Sequence, residues 1–370
     1  MSVEQFRADL RAWLDNNDLI PGPDHSLEGH IRQLARVHRA LYDAGWMRYG
    51  WPTEVGGLGG SVVLRAIVGE EVVGRRLAEP GPYSMVEVLA PTMIDYAPAG
   101  LAAEMVPRLL SGREQWCQGF SEPGSGSDLA SLSTRAAPHG DNWIVNGQKV
   151  WTSYAQYSTR CILLTRTAAG NANRHEGITA FFVDLDTPGI TVRPLRTMHG
   201  VDEFCEVYFD DVVIPAGRML GRPGDGWRLA MDLLPYERST CFWQRIAYLY
   251  ARMDELIRES IDNDNSGTDL DLGSAYLALH TLRCRSRATL HRWDDGERLG
   301  PETSIDKVLL ATAEQRLFDT MRDLLPGALE LDETPWRSEY LYSRAATIYG
   351  GTAEIQRNII ARRLLDLGKE

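Results

Sequence analysis

The 370-residue chain lacks most features that would place it at a membrane, a metal or a nucleic acid. No apolar run is long enough to span a bilayer, and the opening Met1-Ser-Val-Glu-Gln-Phe-Arg7 shows no secretory pattern, so a soluble, cytoplasmic protein is expected. The five cysteines (Cys117, Cys161, Cys205, Cys241, Cys284) are scattered, odd in number and without Cys-x-x-Cys spacing. That argues against a disulfide framework and a zinc site, and for reduced thiols. The eight histidines form no His-x-x-x-His cluster, and no metal is expected. Positive charge is scarce: 39 Lys and Arg stand against 51 Asp and Glu, a net charge of −12. This disfavours nucleic acid and anionic membranes as partners. It leaves room for an anionic small ligand met by a local arginine cluster.

What is present is an ordinary globular composition, 44% hydrophobic and 24% charged, long enough for two or three domains. Residues 1–114 read as helical: Phe6, Leu10, Trp13 and Leu14 recur at helical spacing, as do Ile31, Leu34, Val37, Leu41 and Tyr42. Gly50-Trp-Pro52 breaks the pattern, a helix with Ser61 as N-cap should follow, and two more are predicted over 84–96 and 99–112. Residues 115–222 alternate polar and apolar residues between turn signals, which suggests a compact β-barrel or sandwich. Trp143-Ile-Val-Asn-Gly147 predicts a hairpin with Asn-Gly at its turn. Residues 223–370 return to helical period, with long segments predicted over 227–260, 272–293, 304–326 and 336–365, a four-helix bundle. Asp262-Asn-Asp-Asn-Ser-Gly-Thr-Asp269 reads as a mobile polar loop.

The most informative stretch is Trp116-Cys-Gln-Gly-Phe-Ser-Glu-Pro-Gly-Ser-Gly-Ser-Asp-Leu-Ala-Ser131. Gly119, Gly124 and Gly126 allow tight turns and close approach to a ligand, and Ser121, Ser125 and Ser127 supply hydroxyls. It is neither a Walker loop nor a dinucleotide fingerprint, since no Lys-Ser/Thr pair and no Gly-x-Gly-x-x-Gly is present. Alone, it would be an ordinary polar turn.

Ser121-Glu-Pro-Gly-Ser-Gly-Ser-Asp128 resembles the signature of the acyl-CoA dehydrogenase family. Three further segments share the resemblance: Gly50-Trp-Pro-Thr-Glu-Val-Gly-Gly-Leu-Gly59, Trp143-Ile-Val-Asn-Gly-Gln-Lys-Val-Trp-Thr-Ser153 and Tyr349-Gly-Gly-Thr-Ala-Glu-Ile-Gln-Arg-Asn-Ile-Ile-Ala361. All four stand in the family's order, so the resemblance covers nearly the whole chain. It implies an α+β multidomain fold of N-terminal helical domain, central β domain and C-terminal four-helix bundle. It also implies FAD as cofactor and oxidation of the Cα–Cβ bond of an acyl-CoA thioester. In such enzymes a carboxylate removes the α-proton while the β-hydride passes to flavin N5. The site must hydrogen-bond the thioester carbonyl and exclude water for a carboxylate to suffice.

Carried over by position, the resemblance implies that the backbone of Gln118 and Phe120 and the side chain of Ser121 line the flavin ring. Gly126 and Ser127 would meet the pyrophosphate, and Ser127 also the CoA. Trp151 would cover the isoalloxazine, with Thr152 and Ser153 near N5, and Thr352 and Glu354 would reach the cofactor from the bundle. The plainer readings are a core aromatic for Trp151 and a backbone or capping role for Glu354.

Two departures from the family pattern stand out. Many members carry the catalytic glutamate inside a Tyr-Glu-Gly-Thr motif, where this chain has Gly350. A minority place it in a Glu-Arg pair on the first bundle helix, and Leu234-Pro-Tyr-Glu-Arg-Ser239 puts Glu237 there. Glu237 is then the base, with Arg238 as a substrate or structural partner and Tyr349 and the Gly350 N–H on the substrate; the plainer reading is a surface Glu-Arg pair. If Glu237 is not the base, Glu122 is the next carboxylate to consider. The second departure is the loss of an Arg-x-x-Phe-Gly and a Gln-x-x-Gly-Gly segment through which neighbouring subunits usually complete the flavin site. The regions in question read Asp262–Leu272 and Leu324–Leu331. The resemblance therefore implies either a homo-oligomer (dimer or tetramer) binding flavin by other groups or a heteromer with a related subunit. Members of the heteromeric type often act on steroid-like acyl groups. The expected electron acceptor is an electron-transfer flavoprotein or similar. Competing readings are a flavin oxidase or monooxygenase acting on a non-CoA substrate, and a non-catalytic subunit of a heteromeric dehydrogenase. Phe242, Trp243 and Tyr236 are bulky neighbours of Glu237 whose direction the sequence leaves open.

Overall fold

A computed structural model describes residues 2–168, 174–262, 269–331 and 335–368. The chain opens with five helices: α1 (Val3–Asp15), α2 (Leu27–Asp43), α3 (Val62–Gly74), α4 (Pro80–Tyr96) and α5 (Ala99–Leu110). Serines cap the first three; the Ser61 hydroxyl accepts from Val63 N at 3.0 Å, as the sequence predicts. On α1 the buried residues are Phe6, Leu10 and Leu14, the stripe expected of a surface helix. α3 and α4 are different, buried over most of their surface, because later helices cover them. α4 begins four residues before the predicted start, at Pro80, since proline is preformed for a first helical turn.

Eight strands follow: β1 (Trp116–Gly119), β2 (Arg135–His139), β3 (Asn142–Ser153), β4 (Arg160–Arg166), β5 (Ile178–Asp184), β6 (Ile190–Leu195), β7 (Phe204–Pro215) and β8 (Met219–Leu220). They form one sheet in the order β6-β7-β3-β2-β4-β5-β8, with β1 parallel on β4. Its halves meet through a single β2–β4 pairing, Arg135 with Arg166. An apolar core drawn from both halves includes Val145, Leu163, Phe181 and Val207. Alternate residues of β4 and β5 (Ile162, Leu164, Ala180, Phe182) turn the other way and join the helical core. The predicted Asn146-Gly147 hairpin turn is corrected. The turn lies at Gly140-Asp141, between His139 and Asn142 of the β2–β3 register, and Asn146-Gly147 sits inside β3 at a register shift against β7. Asn146 and Asp211 exchange two hydrogen bonds of 2.9 Å across that shift. A Cβ at Gly147 would meet Thr134 Oγ1 at 2.6 Å, so this glycine serves close packing rather than a turn.

The rest is helical: α6 (Gly226–Glu237), α7 (Thr240–Asp262), α8 (Asp269–Asp294), α9 (Thr303–Leu324), α10 (Pro335–Ser343) and α11 (Ala353–Ile359), which runs into a π turn (Ile360–Leu364). Two predicted segments are each broken. The 227–260 segment divides after Glu237, where Arg238 N and Ser239 N bond to carbonyls three residues back, Pro235 and Tyr236. Pro235 has no N–H for the helical ladder, which weakens the final turn of α6. The 336–365 segment opens at residues 344–352, where Gly350 and Gly351 take φ of 62° and 90°. Of the polar run predicted as a loop, 263–268 lie outside the described residues. Both breaks fall at one place in space, and they make the candidate site.

Candidate active site

The Ser121–Ser131 loop is held from below by a buried ion pair. Lys149 Nζ on β3 lies 2.8 Å from Glu122 Oε1 and donates to the Phe120 carbonyl at 3.1 Å. Glu122 also accepts from Ser133 N (2.6 Å), Ser133 Oγ (2.8 Å) and Thr134 N (2.9 Å). Although burial alone would raise it, the Lys149 charge and these donors bring Glu122 down to about 2. Burial lowers Lys149 to about 8. Glu122 is thus fully engaged in positioning the loop, and its site is not that of a free base. Val150 N donates to Ser121 O at 2.9 Å, tying the loop to β3 one residue before Trp151.

Between Lys149 and Thr152 the register on β7 advances by two residues against three, a bulge. Trp151 there has φ 59° and is 59% exposed, its ring edge-on to Phe204 at 5.8 Å. A left-handed, exposed tryptophan is strained and unshielded, which makes Trp151 a candidate ligand contact rather than a packing residue. This overturns the plainer reading of Trp151 as a core aromatic. The bulge turns Thr152 inward, where its hydroxyl is buried without a partner among the described residues, as is Gln118 Oε1. Gly126 and Ser127 are exposed, and a Cβ on Gly124 or Gly126 would meet nothing within 4 Å. Nothing in the fold demands glycine at those two positions. An exposed aromatic, orphaned hydroxyl and amide groups and an unencumbered glycine loop fit a flat, phosphate-bearing cofactor.

The second half of the site lies where α6 ends and the 344–352 segment opens. A Cβ placed on Gly350 would sit 2.9 Å from Glu237 Oε1 and 3.3 Å from Lys307 Cε. The Glu237 carboxylate therefore fills the space that a side chain at position 350 would enter. Arg238 turns the other way and donates to the Gly350 carbonyl at 3.0 Å, and Gln356 Nε2 donates to the same oxygen at 3.1 Å. Arg238 is buried in this role, so the surface-pair reading fails. Glu237 keeps an accessible face but is enclosed by protein, and this desolvation raises its pKa against the opposing charges of Arg238 and Lys307. It makes no hydrogen bond or ion pair with another described residue. Lys307, buried on α9, donates to Ala346 O and lies 4.3 Å from the Tyr349 ring centre. Thr352 caps α11 by accepting from Ile355 N at 3.3 Å; Glu354 is exposed in its first turn.

A chain of contacts joins the two halves. Tyr154, just past the bulge, reaches Glu203 at 3.3 Å; His199 Nε2 is 3.8 Å from the other Glu203 oxygen. The His199, Tyr342 and Tyr349 rings then follow at 5.4 and 5.9 Å. Burial lifts Glu203 to about 7. Lys307, Glu203 and Glu314, which pairs with Arg245 at 2.5 Å, are site residues that sequence reasoning missed. On α9 a signal existed: Lys307 and Glu314 lie seven apart on the stripe that also buries Leu310, Leu317 and Met321. Among the bulky neighbours, Tyr236 bonds to Asp95 at 2.7 Å and Trp243 Nε1 to Glu70 at 3.1 Å.

The chain matches "Acyl-CoA dehydrogenase, N-terminal domain" over residues 2–113, "Acyl-CoA dehydrogenase, middle domain" over 117–212 and "Acyl-CoA dehydrogenase, C-terminal domain" over 224–365. It belongs to the acyl-CoA dehydrogenase family. It is similar to acyl-CoA dehydrogenase IpdE1 of Mycobacterium tuberculosis, 38% identical over 387 residues, covering 100% of this chain and 98% of that protein. Among solved structures it resembles the ChsE4-ChsE5 complex of M. tuberculosis, with 26% identity, TM-score 0.83 and full coverage of both chains. It also resembles the Tcur3481-Tcur3483 steroid ACAD, with 25% identity, TM-score 0.86 and coverage of 99% and 98%. The family is one of flavoprotein oxidoreductases, and this chain is an enzyme of that class. Among the described residues no helix is long and apolar enough to cross a membrane, and no group of His, Cys, Asp and Glu could hold a metal.

Proposed function

We propose that this chain carries out FAD-dependent α,β-dehydrogenation of an acyl-CoA thioester, with Glu237 removing the α-proton. The observation that carries the reading is the Glu237 carboxylate facing Gly350, free of hydrogen bonds and desolvated. A raised pKa makes a stronger base, while Arg238 and Lys307 keep its ionised form accessible. Arg238 and Gln356 fix the Gly350 carbonyl and so orient the adjoining peptide, whose N–H would meet the thioester carbonyl beside Tyr349. FAD, when bound, would accept the β-hydride. Gln118, Phe120, Ser121, Gly126, Ser127, Trp151, Thr152 and Ser153 would hold it, with Thr352 and Glu354 approaching from α11, and Ser127 would also touch the CoA. The domain limits are best drawn as 1–114, 115–222 and 223–370.

Likeness to a steroid ACAD and to a two-protein complex supports a bulky acyl group and a heteromer as the assembly. So does the loss of both segments through which a neighbouring subunit usually completes the flavin site. An electron-transfer flavoprotein would take the electrons onward, in the cytoplasm. The test is anaerobic. FAD-loaded protein should lose its visible band on adding acyl-CoA, and Glu237→Gln should keep FAD and acyl-CoA binding while losing that bleaching. Bleaching at near-normal rate in the variant would place the base elsewhere.

A further inference from the structure

Trp151 is not alone in its strain. Tyr154, three residues on, is also left-handed, with φ 58° against 59° for Trp151. Such residues persist only where their surroundings hold them. Glu203 supplies two of the bonds that do so, one step beyond the last β3–β7 pair, Ser153 with Phe204. Its carbonyl accepts from Tyr154 N at 2.7 Å, and its Oε2 accepts from the Tyr154 hydroxyl at 3.3 Å. That hydroxyl is also pressed against α4, where a Cβ on Gly81 would lie 2.3 Å from it.

Glu203 is buried, and its other oxygen, Oε1, has no hydrogen bond among the described residues. Oε1 faces His199 Nε2 at 3.8 Å. The state of that nitrogen follows from the far side of the ring. Thr197 Oγ1 donates its one proton to the Val201 carbonyl at 2.8 Å, and so accepts the 2.7 Å bond from His199 Nδ1. Neutral His199 therefore carries its proton on Nδ1 and turns a bare Nε2 towards Glu203. The other ionisable groups around the pair do not neutralise it. Arg245 of α7 is bound to Glu314 at 2.5 Å, and Glu79, just before α4, has the same sign as Glu203. Tyr154 and Tyr342 of α10 are phenols that burial keeps protonated. Two lone pairs face to face in a buried gap are unfavourable, and one proton between them removes the conflict.

We propose that Glu203 and His199 hold one shared proton, and that Glu203 in this state is a positioning residue, fixing through Tyr154 the segment that would lie against FAD. The inference rests on the reading of Trp151, Thr152 and Ser153 as flavin contacts. Burial lifts Glu203 to about 7, so the proton is held below that pH and lost above it. Once it is lost, a buried charge stands without a partner. The carboxylate is then driven towards water, and Tyr154 loses the strut that holds its strained backbone.

The test follows the FAD dissociation constant on either side of about pH 7. FAD should bind about 10-fold more weakly on the alkaline side. Glu203→Gln puts an amide N–H where the shared proton sits and can still accept from Tyr154. It should keep tight binding and lose the pH dependence, whereas Glu203→Ala should bind weakly at both. A second readout needs no FAD. The chain has eight histidines, few enough for nitrogen-15 spectra of histidine-labelled protein, with His199→Gln identifying the His199 signal. That signal should step at the same pH in the natural protein and not in Glu203→Gln. A His199 signal without the step in the natural protein would overturn the shared proton whether or not the variants fold. An FAD affinity that steps alike in the natural protein and Glu203→Gln would overturn the positioning role. A His199 step in a protein that binds no FAD would instead sink the flavin reading and, with it, the role but not the proton.

Discussion

Glu122 and Glu237 are both enclosed carboxylates beside cations, and their surroundings differ in nearly every other respect. Glu122 takes hydrogen bonds from Lys149, Ser133 and Thr134 and is held at about 2. Glu237 feels Arg238 and Lys307 only at a distance, because Arg238 is spent on the Gly350 carbonyl and Lys307 on Ala346, and its pKa is raised. One carboxylate is saturated and so serves architecture. The other is left wanting a proton, opposite a glycine that makes room for it. Charge near a carboxylate therefore says little about its role; the count of hydrogen bonds reaching it says more.

The largest effect expected from this contrast is on Glu237. Glu237→Gln should lower kcat/KM by about 10²–10⁴-fold, the usual worth of a general base, with the unfolding midpoint hardly changed. Glu122→Gln should act the other way round. It leaves Lys149 buried and unpaired, so unfolding in urea should show a loss of about 3–5 kcal/mol, and FAD should be lost with the loop. Since the folded pKa of Glu122 is depressed, its contribution should be present above the ordinary carboxylate pKa and vanish as pH falls towards about 2. An unfolding series over that window checks the sign.

A subtler change sharpens the comparison. As the proposed base Glu237 would act ionised, so the rate should fall as pH drops through its pKa, at a midpoint above the ordinary carboxylate range. Lys307→Met removes a charge that lowers that pKa, so the acid limb of the pH–rate profile should move to higher pH. A limb that stays put would mean Lys307 acts only on Ala346 and Tyr349. Smallest is Thr352→Ala, which removes the cap behind Gly350 and Gly351 and should cost about 1 kcal/mol in unfolding.

Much of this arrangement was legible beforehand. The glycine-serine loop, Trp151 and the Glu237–Arg238 pair are local signals, and resemblance supplied their order and the roles proposed for them. The helical, strand and helical blocks follow from periodicity alone. What escaped were long-range decisions. Asn146-Gly147 carries a turn signal that pairing with β7 overrides. The helix break after Glu237 depends on a short segment whose bonds close three residues back, which periodicity does not register. Arg65, Glu87, Lys149 and Lys307 are single charges within apolar stretches or on buried helical faces. The sequence marks each as unusual but does not say which other charge it meets.

The most direct test of Glu237 isolates deprotonation from oxidation. A 3-thia-acyl-CoA has sulfur in place of the β-carbon, so no β-hydride can leave and only the α-proton is in play. Its α-proton exchange in D₂O, bound to the FAD-loaded protein, should be rapid in the natural protein. In Glu237→Gln it should be abolished at unchanged affinity. Equal exchange in both would contradict the assignment of Glu237 as the base.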